Sequence, residues 1–361
     1  MSNPRILALL PFLVKGALSL QVLREMRRRN FDVTVAFCSD ASSIYTPDDM
    51  EDFRADKQLV DLTSVPHHET LDAVWEEMRH RSTDLVLQIG APLLYHHLPY
   101  WKERNPSLRI ADTLYNEVGH TLNHFLYEQC IDGVIVETEH MKRFVERNSV
   151  KQDARVRIVR NGIDTNWLTP AADTAPPRNG MLVGYVGRMS QEKNPLGFID
   201  LVEKIHPQLP DTRFVLAGDG IQTDEVRRRV HESPAGERLQ YHGYASDVRA
   251  VLQTLDVLVL PSKLDGRPNI VMEANACGIP VIGAPVGGVP ELIADGVNGF
   301  LASPAEADRI AGILCAWREN PAELTRFKQS ARQYAEQHFG RQQMMDTYAD
   351  VFRELGAGRI H

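Results

Sequence analysis

Short apolar runs alternate with amphipathic stretches along most of this chain. Runs with the length and composition of strands fall at residues 6–10, 33–37, 59–62, 85–89, 110–114, 134–137 and 156–159. Apolar positions spaced for one helix face lie between several of them, most clearly at 19–30 and 120–127. After a stretch rich in Pro and Ala the pattern resumes with strands at 182–186, 213–217, 257–260 and 279–284 and with helices at 195–205 and from 268 onward. Three long helical patterns follow at 305–318, 322–338 and 341–355. Such alternation predicts parallel βαβ units in doubly wound α/β sheets, whose ligands sit beyond the carboxyl ends of the strands. The loops after the strands are therefore where chemistry is to be sought.

The most telling loop is S-K-L-D-G-R-P-N, residues 262–269. It opens a helix at Pro268, where a missing N–H costs nothing, and Gly278 ends that helix. Free N–H groups at the helix start, with the positive end of its dipole, suit an anion without help from a cationic side chain. Gly266 lets the backbone approach that anion. Asp265 precedes the helix and Glu273 lies inside it. A carboxylate beside bound phosphate is suited to hydroxyls, as the acid of dinucleotide sites is to ribose. Anion, hydroxyls and helix start together point to a sugar nucleotide.

Other loops carry weaker signals. Strand 182–186 ends at Gly187, followed by Arg188 and then Lys193. Cations there would favour a leaving diphosphate most as its charge develops. Gly218 and Gly220 lie in L-A-G-D-G after the next strand. In the first half, the loop 11–16 keeps one glycine, Gly16, and N-E-V-G-H sets Asn116 and His120 after the fifth strand. Those two either meet sugar hydroxyls or merely turn and cap the following helix. The run P-L-L-Y-H-H-L-P-Y-W-K, residues 92–102, lines an acceptor pocket or packs its loop onto the domain. Arg24, Arg27, Arg28 and Arg29 form either a membrane-facing basic patch or a solvated helix face.

Three of these stretches together resemble the signature of the retaining glycosyltransferases of family 4: G-R-x-x-x-x-K-N, L-x-G-x-G, and D-G-R-P-N-I-V-M-E-A-N-A-C-G-I-P-V-I followed by G-G-V-P-E-L-I. The resemblance implies the GT-B architecture, two doubly wound Rossmann-like domains facing across a cleft. An acceptor-side domain would span 1–168, a donor domain 169–340, and a helix in 341–361 would cross back to the first. It implies Arg188 and Lys193 on the diphosphate, Asp265 on the donor sugar and Glu273 on the ribose. The backbone of Arg267, Pro268, Asn269 and Ile270 would cradle phosphate, with Gly16, Gly187, Gly218, Gly220 and Gly266 allowing close approach. There are departures. Asp265 stands where the family usually has Glu, and Tyr115 or Asn116 stands where it often has His, with His120 slightly later.

Composition narrows the partners. A net charge of −8 argues against nucleic acid as a main partner. Four scattered cysteines suggest reduced thiols and a cytoplasmic setting, peripheral to the membrane at most. R-I-L-A-L-L-P-F-L-V has the length of a signal-peptide core, but Lys15 follows and no small-residue cleavage site does. No D-x-D motif occurs, so no metal and no cofactor beyond a UDP- or GDP-sugar donor is expected. The acceptor would be a sugar, a lipid-linked sugar or a small molecule. A nucleotide-sugar epimerase, a phosphorolytic enzyme, or a catalytically silent nucleotide-binding subunit of a transferase complex is the alternative.

Overall fold

The computed structural model describes residues 3–40, 47–150, 155–172 and 180–357. They form two compact units, one running to Arg160 and resuming at Gln342, the other spanning Asn161–Arg341. In the first lie β1 (Arg5–Leu10), β2 (Asp32–Phe37), β3 (Leu59–Asp61), β4 (Leu85–Gln88), β5 (Arg109–Leu114), β6 (Gly133–Val136) and β7 (Arg155–Ile158). In the second lie β8 (Leu182–Val186), β9 (Arg213–Ala217), β10 (Leu239–Gly243), β11 (Val257–Leu260), β12 (Val281–Gly283) and β13 (Gly299–Leu301). The sheets run β3-β2-β1-β4-β5-β6-β7 and β10-β9-β8-β11-β12-β13. In each, the first strand of the unit sits between its second and fourth, which creates a switch point where strand order reverses.

Helices on both faces explain why the strands read as unbroken apolar runs rather than alternating ones. Every residue of β4, β6 and β11 is buried. Each sheet accordingly has two apolar clusters, one per face. The helix Arg341–Gly356 places Tyr348, Phe352 and Leu355 in the cluster that holds Leu20, Leu23 and Met26, so the chain does return to the first unit. Helices Glu139–Asn148 and Thr223–Glu232 were less visible in the pattern because they bury little: Met141 and Val145 in one, Val226 alone in the other.

The structure bears on three of these expectations. The boundary expected near 168–179 lies largely outside the described residues, which omit 173–179, and the compact units divide earlier, after Arg160. Residues 161–168 already belong to the second unit, since Ile163 N–H donates to the Phe339 carbonyl at 2.8 Å and Leu168 is buried in that unit's core. The arginines of helix Leu18–Arg28 and its cap are paired. Arg24 meets Asp48 at 2.7 Å, Arg27 meets Asp52 and Asp56, Arg28 meets Glu25, and Arg29 meets Glu25 and Asp346. That face is a salt-bridged surface and not a free cationic patch. Finally, the 92–102 run packs: Tyr95, His97, Leu98 and Trp101 are buried, and burial pushes His97 down to about 4, so it stays neutral.

Candidate functional site

In the second unit the loops beyond β8, β9, β11 and β12 meet around the β8–β11 switch point, and backbone groups tie them together. Gly187 N–H donates to Ala217 O at 3.0 Å and Met189 N–H to Asp219 O at 2.8 Å. Lys263 N–H donates to Glu192 O at 2.8 Å, and Gly288 N–H to Asp265 O at 3.2 Å. Such closeness leaves no room for side chains. At Gly218, φ is +138° and a Cβ would stand 1.8 Å from the Gly187 carbonyl oxygen; at Gly220, φ is +155° and a Cβ would stand 2.6 Å from that of Met189.

Charged side chains enter this cradle from two loops. Asp265 is buried, with Lys193 Nζ 2.6 Å from Oδ2 and the Ser262 hydroxyl donating to the same oxygen at 3.1 Å. Lys193 is thus held in place rather than left to swing. Arg188 is exposed and leans on Glu192 at 3.3 Å, while the Tyr185 hydroxyl donates to its carbonyl at 2.6 Å and fixes the loop. Sequence reasoning missed Ser262 and Glu192. Their signal was only nearness to Asp265 and Arg188 in the chain.

The helix beyond β11 runs Asn269–Ala276, one residue later than expected. Pro268, with ψ of 118°, is its cap and not its first helical residue. No side chain caps this helix and its first turn carries no acid, so its leading amides have no internal anion. Gly266 precedes it without a left-handed φ. Arg267 is a partial surprise. Its side chain is buried, donates to the Asn161 carbonyl at 3.4 Å and lies over the Phe339 ring. The Asn161 amide in turn donates to Asn269 Oδ1. Asn161 therefore braces the start of the helix, with Ile270 following in its first turn.

Glu273 sits on the same helix, and burial pushes its carboxyl up to about 7. The side chain has no hydrogen-bond or ion-pair partner among the described residues, so nothing in the fold compensates it. An uncompensated acid beside an uncapped helix is suited to a hydroxylated ligand.

The three candidates in the first unit stand apart from this cradle in kind. Gly16 has φ of +82° with open space around a would-be Cβ, so conformation alone selects glycine there. Asn116 Oδ1 accepts from Val118 N–H at 3.0 Å and its carbonyl accepts from the Thr121 hydroxyl at 2.7 Å, which turns the loop before helix Thr121–Tyr127, whose start no side chain caps. His120 donates through Nε2 to the Thr113 carbonyl at 2.9 Å, with its ring against Gly90. Beneath lies a network that sequence reasoning did not find. Buried Asp112 accepts from the Tyr95 hydroxyl at 2.8 Å and lies 2.9 Å from His124 Nδ1. It pins the segments after β4 and β5 to the sheet.

Among the described residues no group of three or more His, Cys, Asp or Glu is arranged to hold a metal ion, and no helix is long and apolar enough to cross a membrane.

Two doubly wound parallel sheets, the second with a glycine-built cradle at its switch point, define the GT-B class of fold. Over 98% of its length this chain superposes on Anabaena Alr3699/HepE in complex with UDP-glucose, at a TM-score of 0.76, 19% identity and full coverage of that chain. The glycosyl transferases group 1 family model matches residues 171–334, which lie within the second unit. The chain is 32% identical over 170 residues to the Vi polysaccharide biosynthesis protein VipC/TviE of Salmonella typhi, an alignment covering 46% of this chain and 29% of that one. It is 28% identical over 171 residues to an Escherichia coli UDP-Gal:alpha-D-GlcNAc-diphosphoundecaprenol alpha-1,3-galactosyltransferase, covering 44% of each. The chain thus spans less than half the length of either relative.

Proposed function

We propose that this protein is a hexosyltransferase that moves a sugar from a nucleoside diphosphate to an acceptor hydroxyl, with retention at the anomeric carbon and without a metal ion. The observation that carries the reading is the uncapped start of helix Asn269–Ala276 beside the fixed Lys193–Asp265 pair, with partnerless Glu273 one turn into the helix. In this reading the backbone of residues 267–270 and the cations Lys193 and Arg188 hold the diphosphate. Their charge matters most as the leaving group separates. Glu273 accepts from the ribose hydroxyls, and Asp265, steadied by Ser262, meets the sugar. Gly187, Gly218 and Gly220 form the floor under the nucleotide.

UDP is the first nucleotide to try, because HepE is in complex with UDP-glucose and the E. coli relative is named for UDP-Gal. Melting temperature is measured with UDP, GDP, ADP and their sugars in the presence of a chelator, for wild type and Glu273→Ala. A ligand that binds only the folded state raises it with concentration. A rise with one nucleotide, lost in the variant, supports the donor site. Binding without transfer to any hydroxyl acceptor favours the silent-subunit alternative, and turnover restored only by magnesium or manganese overturns metal independence.

A further inference from the structure

The chain passes from the first unit to the second after Arg160 and returns after Arg341. Though far apart in sequence, the two passages are laced together inside the second unit. Ile163 N–H donates to the Phe339 carbonyl at 2.8 Å and Arg341 N–H to the Ile163 carbonyl at 2.9 Å, so Ile163 and Gly340 form a parallel bridge. The approach is so close that a Cβ on Gly162 would stand 2.8 Å from the Gly340 carbonyl oxygen.

Side chains fasten this bridge to both ends of helix Asn269–Ala276. At the helix start, buried Arg267 donates through Nε to the Asn161 carbonyl and sets its guanidinium carbon 5.9 Å from the centre of the Phe339 ring. The Asn161 side-chain amide donates in return to the Arg267 carbonyl at 3.4 Å and to Asn269 Oδ1. At the helix end, Arg332 donates to the carbonyls of Ala276, Thr165 and Leu168 at 2.7, 3.1 and 2.7 Å. Arg267 thus reaches one passage through Asn161 and the other through Phe339. A guanidinium is costly to desolvate and an apolar side chain would fill the same space, so its value here lies in these directed contacts.

We infer that Arg267 is a positioning residue that links whatever occupies the helix start to the two passages of the chain. The inference rests on the donor reading above. A diphosphate held by the amides of residues 267–270 orders Arg267 and Asn269, whose bonds to Asn161 and contact with Phe339 then order residues 161–163 and 339–341. Linkage makes the effect reciprocal: the factor by which nucleotide steadies the bridge is the factor by which a loosened bridge weakens nucleotide binding.

The test is hydrogen exchange over residues 161–168 and 339–345 of the full chain, read by mass spectrometry with and without whichever of UDP, GDP and ADP raises the melting temperature. In wild type the nucleotide slows exchange in both segments about tenfold, while the paired amides of β8 and β9 change little. Arg267→Met keeps the apolar stem, yet it abolishes that protection and weakens nucleotide binding by the same factor of about ten in calorimetry. Arg267→Lys, which retains a donor for Asn161 without the planar contact on Phe339, keeps part of both. If Arg267→Met fails to fold, Phe339→Leu removes the ring, leaves Arg267 in place and should lose part of the protection and affinity together. Nucleotide binding to wild type with exchange unchanged in the two segments overturns the inference and leaves the donor reading standing, as does Arg267→Met that retains full affinity. No rise in melting temperature with any of the three nucleotides overturns the donor reading and this inference with it.

Discussion

In the second unit the loops beyond β8, β9 and β11 are tied to each other through backbone amides, whereas in the first unit the segments after β4 and β5 are tied through buried side chains, Tyr95 and His124 to Asp112. Backbone ties demand glycine wherever a Cβ would strike a neighbouring carbonyl, so they leave a readable motif. Side-chain ties draw on residues far apart in the chain, each replaceable by other polar types, and leave none. The difference also bears on chemistry. A backbone cradle offers N–H groups to any phosphate, which suits a shared donor, while side-chain loops are free to vary with the acceptor.

The contrast breaks most sharply at Gly218. Gly218→Ala forces a Cβ onto the Gly187 carbonyl and should cost on the order of 4 kcal/mol, or prevent folding of the unit, as urea denaturation would report. Gly16→Ala, with left-handed φ but open space, should cost only about 1 kcal/mol. Equal costs would mean that crowding in the cradle is not what selects glycine.

Arg188→Ala tests whether the cradle is chemical as well as structural. Its ion pair is exposed, so stability should hardly move, while turnover drops by about 10²–10³-fold with nucleotide affinity less affected. Loss of stability without loss of rate would assign Arg188 to the loop alone.

Glu273 sharpens the same point through pH. Its carboxyl titrates near 7 in the fold against an ordinary value of 4.5, so the folded state retains a proton that the unfolded state has lost. Stability contributed at this site is therefore highest below pH 4.5 and falls as pH rises through 7. Glu273→Gln should match wild type at pH 4 and exceed it by up to about 3 kcal/mol above pH 7, while losing nucleotide binding. Chemical denaturation at the two pH values measures the gap, and a gap that shrinks on going alkaline refutes this account of the burial.

The smallest effect belongs to the first unit. Asn116→Ala removes one local acceptor and should cost about 1 kcal/mol or less, with no change in donor affinity by calorimetry.

Much of the fold was legible because strands covered on both faces must be apolar throughout, and the order of such runs dictates parallel crossovers. Ends shifted by a residue or two, as at Pro268, where ψ rather than residue type decides whether the helix has begun. In the candidate site, Asp265, Glu273, Arg188, Lys193 and the glycines stood out because their motifs resemble a family signature, and the structure brings Lys193 and Asp265 together.

What the sequence determined by itself is therefore local: which segments are strands and helices, and where an uncapped helix start lies near acids and cations. Only the tertiary structure decided the pairings. It joined Lys193 to Asp265 across 72 positions and Arg29 to Asp346 across 317. Charge neutralisation and burial depend on distance in space, and folding sets that distance without recording it in the order of residues.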